Sequence, residues 1–133
     1  MVITPASAIA VLADGRWFLA FDRWHAYDEP GPFRPRTVGL FSSDEGKTWG
    51  DLVPFGDNPA PGVYHWHGRV TRMQDDRLFA LMWTANLETG DAMPLHFVTS
   101  SPDAREWSVP QPTHIPGQTN GPVDLGGAGW REP

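Results

Sequence analysis

Ser42-Ser43-Asp44-Glu45-Gly46-Lys47-Thr48-Trp49 is an octapeptide in which each fixed position has a structural use. An Asp two residues after a Ser can accept backbone N–H groups across a tight turn. Gly46 supplies the left-handed conformation that such a turn needs. Thr48 starts a return strand, and Trp49 packs its ring under the hairpin. A degenerate copy lies at Ser101-Pro102-Asp103-Ala104-Arg105-Glu106-Trp107. It keeps Ser, Asp and Trp, and has Ala104 in place of the turn glycine. The spacing therefore predicts two hairpins of one kind.

Working outward, the hairpins that precede these turns are also related. Ala13-Asp14-Gly15-Arg16-Trp17-Phe18-Leu19-Ala20 aligns with Gln74-Asp75-Asp76-Arg77-Leu78-Phe79-Ala80-Leu81, 61 residues on. Ala8–Leu12 and Trp17–Trp24 flank the first of these turns, which reads as a tight Asp-Gly hairpin. Arg69–Met73 and Leu78–Thr84 flank the second. Thr37–Ser42 and Leu95–Thr99 lead into the two Ser/Asp turns, and short strands follow from Thr48 and over Trp107–Val109. Four strands recur with a period of about 60 residues. Gly121-Pro122-Val123-Asp124-Leu125 echoes Gly68-Arg69-Val70-Thr71-Arg72 and opens a third unit. No window sustains a helical period, so the expected class is all-β.

Composition agrees with that class. The 133 residues include 14 Gly, 14 Pro and 7 Trp, with only 20% charged residues. Such turn-rich, aromatic-rich chains fall among β proteins. The net charge of −6 excludes binding to nucleic acid by phosphate neutralisation. No cysteine is present, which excludes thiolate zinc clusters and thiol nucleophiles. No apolar run is long enough to span a membrane, and Met1–Leu12 lacks the basic start of a signal peptide. The compartment stays open, being cytoplasmic if Met1 is the true start.

A four-stranded unit repeated head to tail reads as blades of a β-propeller. The predicted architecture is one partial domain over residues 1–133. Blade 1 covers about 5–54, blade 2 about 64–110, and the start of blade 3 about 118–133. Closing a ring of six such blades takes roughly 350 residues at this period. The tail from Gly126 lacks the apolar strand of its repeat partners, so the expectation is a fragment with a truncated or frame-shifted end. Open blade faces are expected to self-associate.

The Ser/Asp octapeptide and its copy resemble the Asp-box, or BNR repeat, of sialidase-like propellers. The resemblance covers roughly Ser7–Val109, and Ile115–Pro122 is similar to the entry to a further blade. It implies a parent enzyme that hydrolyses glycosidic bonds of sialic-acid-type or related sugars, with no cofactor. It also implies that Ser42, Asp44, Gly46, Thr48, Trp49, Ser101, Asp103 and Trp107 serve folding. Sialidases use an arginine triad for the substrate carboxylate, a Tyr nucleophile with a Glu, and an Asp acid/base. The Arg-Ile-Pro segment of that pattern is absent here, and Arg69 stands at a roughly similar place. The catalytic candidates are Arg69, Asp28, Glu29 and Tyr27.

Strand order puts the Asp-box turns and the Asp14-Gly15 and Asp75-Asp76 turns at one end. The long connections Arg23–Arg36, Phe55–Gly68, Thr84–Pro94 and Gln111–Gly121 lie at the other, where function concentrates. Arg23, His25, Arg36, His65, His67 and Arg69 are the candidate substrate-binding residues. Arginine binds sugar carboxylates in bidentate fashion. The same arginines also read as solvated loop charges, Asp28-Glu29 as a turn start, and Trp24, Trp66 and Trp83 as packing between blades. His65 and His67 alternate as a metal pair would, but no third ligand stands at fixed spacing, so no metal is expected.

Three functions follow. The first is part of a sialidase-like hydrolase, inactive alone because a propeller site draws side chains from most blades. The second is a glycan-binding or scaffold module without turnover. The third is an assembly in which three chains of two blades close a six-bladed ring.

Overall fold

A computed structural model describes residues 2–24 and 35–117, all as strands, turns and irregular chain with no helix. Among the described residues nine strands run in the order β1 Val2–Val11, β2 Trp17–Trp24, β3 Pro35–Ser42, β4 Gly50–Phe55, β5 Val63–Arg72, β6 Leu78–Asn86, β7 Asp91–Ala92, β8 His96–Thr99 and β9 Gln111–Pro112. They form two antiparallel sheets. One is the meander β1-β2-β3-β4, and the other is β5-β6-β8-β9 with β7 on β6. The expected start of blade 3 at about 118–133 lies outside the described residues.

The repeat is visible in local geometry. The β1–β2 connection is a three-residue loop, with Leu12 N–H donating to Arg16 O and Gly15 N–H to Leu12 O. Met73, Asp76 and Arg77 make the same two bonds in the β5–β6 loop. Gly15 has φ of +90° and Asp76 has φ of +71°, so the aspartate takes a conformation that suits glycine and is tolerated by Asp. This loop is one residue longer than a two-residue Asp-Gly turn and carries the left-handed residue at its end. Both first strands also bulge. Register shifts fall between Ile3 and Ser7 on β1 and between Trp66 and Arg69 on β5.

The strands run further into the long connections than the hydrophobic pattern indicated. Tyr64, His65 and Trp66 belong to β5 and pair with Ala85, Thr84 and Trp83. Strand alternation continues through polar residues there, because Thr84 and His65 are buried between the sheets. The fourth strand of the second unit is broken. Trp107 makes an isolated bridge with Ser100, and pairing resumes at Gln111–Pro112. Pro110 lies in the gap and has no N–H to give a ladder.

The core lies between the two sheets. Ala10, Leu12, Phe18, Ala20, Phe41 and Phe55 of one sheet meet Leu78, Ala80, Met82, Val98 and Ala104 of the other. Phe18 is fully buried, packs edge-on to Phe41 at 5.1 Å between centroids, and lies 5.7 Å from Trp107. Trp107 stacks on Phe55 at 4.1 Å. Gly39, opposite Ala20, leaves room for the Phe18 ring, since a Cβ there would sit 2.1 Å from Phe18 Cζ.

The faces that meet are not equivalent in the repeat. Trp17 and Leu78 each open the second strand of their unit. The first sheet buries Phe18, Ala20 and Asp22, whereas the second buries Leu78, Ala80, Met82 and Thr84. Side chains alternate sides along a strand. The front of one unit therefore packs on the back of the next. Trp17, Leu19, Phe21 and Leu40 on one outer face, and Phe79, Leu81, Trp83 and Phe97 on the other, are half-buried.

Candidate functional site

Each of the two Ser/Asp turns is braced by its own side chains. Asp44 accepts from Ser42 Oγ at 2.8 Å, Thr48 N–H at 2.8 Å and Thr48 Oγ1 at 2.5 Å. These bonds, led by the Thr48 hydroxyl, hold its carboxyl down at about 2. Gly46 has φ of +88° and donates its N–H to Ser42 Oγ, while Trp49 Nε1–H donates to Gly46 O. In the second copy Ser101 donates to Asp103, Trp107 Nε1–H donates to Ala104 O, and Ala104 takes φ of +60°. Asp103 receives backbone N–H from Arg105 at 3.2 Å, and its carboxyl too is lowered, first by the Ser101 bond. Carboxylates held this way carry turns and are poor proton donors. Asp44→Ala is expected to lower the melting temperature more than Asp103→Ala, because it removes three acceptor bonds from the turn. Thermal melts check the ranking. Asp44's stabilising effect is present above pH 4 and fades as pH falls toward about 2.

The opposite end holds a cavity of about 260 Å³ lined by Arg36, Thr37, Gly56, Asp57, Asn58, Val63, Tyr64 and His65. Arg36 starts β3 and donates from Nη2 to Asp57 Oδ2 at 2.8 Å. Asp57 follows Gly56, whose φ is +82°. Asn58 accepts the N–H of Ala60 on Oδ1 at 2.8 Å, which fixes its amide. Its Nδ2 therefore donates to His65 Nε2 at 3.1 Å. His65 Nδ1 carries the ring proton and donates to Thr84 Oγ1 at 2.7 Å. Thr84 in turn donates to Met82 O at 3.5 Å.

Beneath the cavity this chain of bonds continues across the sheets. Thr37 Oγ1 donates to Asp22 Oδ1 at 3.1 Å and lies 3.5 Å from His65 O. The His96 ring sits 5.0 Å from that of His65, and its Nδ1 donates to Pro94 O at 2.8 Å. Asp22, Thr37, His65, Thr84 and His96 are all buried. Burial, and then repulsion from His96, push the His65 pKa down to about 4. His65 is thus a neutral, doubly bonded ring and a structural part of the cavity floor.

Of the candidate binding residues, the structure brings Arg36 and His65 to the cavity. Arg23 lies next to it in register, opposite Arg36. Arg69 is exposed opposite Leu81, beyond the β5 bulge, and does not line the cavity. His25, Tyr27, Asp28 and Glu29 lie outside the described residues, and only the backbone of His67 is described. Among the described residues no three His, Asp or Glu side chains converge as metal ligands, and no helix is long and apolar enough to cross a membrane. Sequence reasoning missed Asp57 and Asn58. Their signal was the Gly56-Asp57-Asn58-Pro59 turn string inside a connection already marked as long.

No family model matches the sequence, and no curated protein matches it.

Proposed function

We propose that the chain supplies two adjacent blades of a sialidase-like, Asp-box β-propeller of the glycoside hydrolase kind, and that its loop-end cavity is part of a carbohydrate site. One observation carries this reading. The four-stranded sheet and the five-stranded sheet stack front to back, as successive units of a propagating array do, with two Asp-box turns at one end. Two equivalent sheets in a sandwich related by a two-fold axis would bury equivalent faces. The front-to-back arrangement leaves the complementary outer faces for further blades, which a ring of about six supplies.

At the cavity the groups suit a polyhydroxyl ligand. Arg36 offers N–H donors, Asp57 offers carboxylate acceptors, and Tyr64 lines the cavity with them. A nucleophile and its partners belong to the rest of the ring. A non-catalytic glycan-binding propeller is the second reading. It is favoured by His65, whose two ring nitrogens are both engaged and whose lowered pKa keeps it neutral at pH 7.

The test is a glycan array together with fluorogenic glycosides. The expected result is saturable sugar binding without turnover by the isolated chain. Release of the fluorophore by this chain alone would contradict the need for other blades. Absence of binding to any sugar would overturn the carbohydrate reading.

A further inference from the structure

The charge balance of the loop-end cavity narrows the ligand class, on the reading that this cavity takes a sugar. Among the described residues Arg36 is the one arginine lining it, with Arg23 beside it in register, and the Arg36 guanidinium already holds a carboxylate. Arg36 Nη2 meets Asp57 Oδ2 at 2.8 Å, with side-chain exposures of 53% and 65%. An arginine paired in this way has its charge compensated on the spot, so an incoming carboxylate meets Asp57 as well as Arg36. Like charges within a few ångströms disfavour each other. A pair of adjacent hydroxyls meets no such conflict. One hydroxyl donates to Asp57, whose carboxylate has acceptor capacity beyond the single Arg36 bond, and its neighbour accepts from the arginine fork.

Two other polar lining residues are engaged within the protein. Asn58 spends Oδ1 on Ala60 and one N–H on His65, and Thr37 is bonded to Asp22. None of them adds positive charge for an acid. His65, held neutral by its burial and its bonds, adds none either. At about 260 Å³ the cavity lies below the usual size for drug-like ligands and matches one sugar ring.

We infer that the Arg36–Asp57 pair makes this cavity a subsite for a neutral sugar ring with vicinal hydroxyls, rather than for a carboxylated sugar.

The probes are methyl glucoside and methyl galactoside as neutral rings, and the methyl glycoside of N-acetylneuraminic acid as the acidic one. Binding is followed by NMR on the full chain. A neutral probe of about a dozen heavy atoms is expected to bind with Kd of about 1 mM, and the acidic probe about tenfold more weakly or not at all. Asp57→Asn is expected to weaken the neutral probes about tenfold and to strengthen the acidic one, because it leaves Arg36 uncompensated. Both side chains are exposed, so the variant keeps its fold, which an unchanged melt verifies. Tighter binding of the acidic probe by the unmodified chain would overturn this inference and leave the carbohydrate reading standing. Failure of both probe classes, on a chain that melts cooperatively, would overturn both. Neutral binding that Asp57→Asn does not change would overturn the role given to the pair.

Discussion

Phe18→Ala is expected to cost about 3–5 kcal/mol of folding stability, the range for removing a fully buried aromatic ring. The ring sits where both sheets meet. It touches Phe41 edge-on, lies 6.0 Å from Phe55 and 5.7 Å from Trp107, and fills the space left by Gly39. These neighbours come from β3, β4 and the second Ser/Asp turn, so no single element can collapse to fill the hole. The loss is a large part of the 5–15 kcal/mol that a domain usually has. Leu52→Ala is the matched control, since Leu52 is 44% exposed and is expected to change stability by no more than about 0.5 kcal/mol. Urea unfolding curves measure both. A Phe18→Ala loss below about 1 kcal/mol would mean that the sheets do not share this core.

Acid is expected to loosen the same interface through His65. Its pKa is about 4 in the folded chain and 6.5 as an ordinary histidine. The unfolded chain therefore binds the proton more readily, and stability rises with pH over that window. The contribution is present above pH 6.5 and is lost as pH falls toward about 4. Between pH 7 and pH 5 the loss is about 2 kcal/mol, discounted where water reaches the ring. The proton has to be placed beside His96, 5.0 Å away between ring centroids, and it ends the acceptor role of Nε2 toward Asn58. Asp22, buried near Thr37 and bonded to it, is the nearby carboxylate on the facing sheet. His65→Gln keeps a polar side chain and removes the titration. Its stability is expected to be lower at pH 7 and nearly flat down to about pH 5. Parallel slopes for the two proteins over that range would contradict the assignment.

The strands and turns were legible in the sequence because apolar alternation and turn chemistry both mark them. Ala13-Asp14-Gly15 and Gln74-Asp75-Asp76 stood out as turns, and the structure gives them one hydrogen-bond pattern. The Ser42–Trp49 motif disclosed its own bonds, since Ser, Asp, Gly and Thr at those spacings have few other uses. Ala104 was less legible. A left-handed alanine is costly, and here its methyl is buried in the core, which no local rule signals.

The loop-end cavity was legible only in part. Arg36 and His65 were marked by residue type and position, but Asp57 and Asn58 were not. A carboxylate in a turn string looks like turn chemistry until a distant arginine, 21 residues back, is seen to hold it. The polar floor of Asp22, Thr37, His65 and Thr84 was hidden for a related reason. Polar residues at buried strand positions break the hydrophobic pattern, and only the partners across the sheets explain why they are tolerated. Which face of each sheet is covered also needs tertiary contact, because both faces of each meander are apolar.

The central claim is that these are two units of a propagating array with complementary open faces. Light scattering on a sizing column, across a concentration series, tests it most directly. The account predicts association of the 14.8 kDa chain, either as a discrete closed species near three chain masses or as a mass that grows with concentration. Replacing Phe79 and Leu81 with glutamate is expected to reduce that association without removing the folded core, since both side chains point away from it. A monodisperse monomer of one chain mass at every concentration, melting cooperatively, would contradict the account.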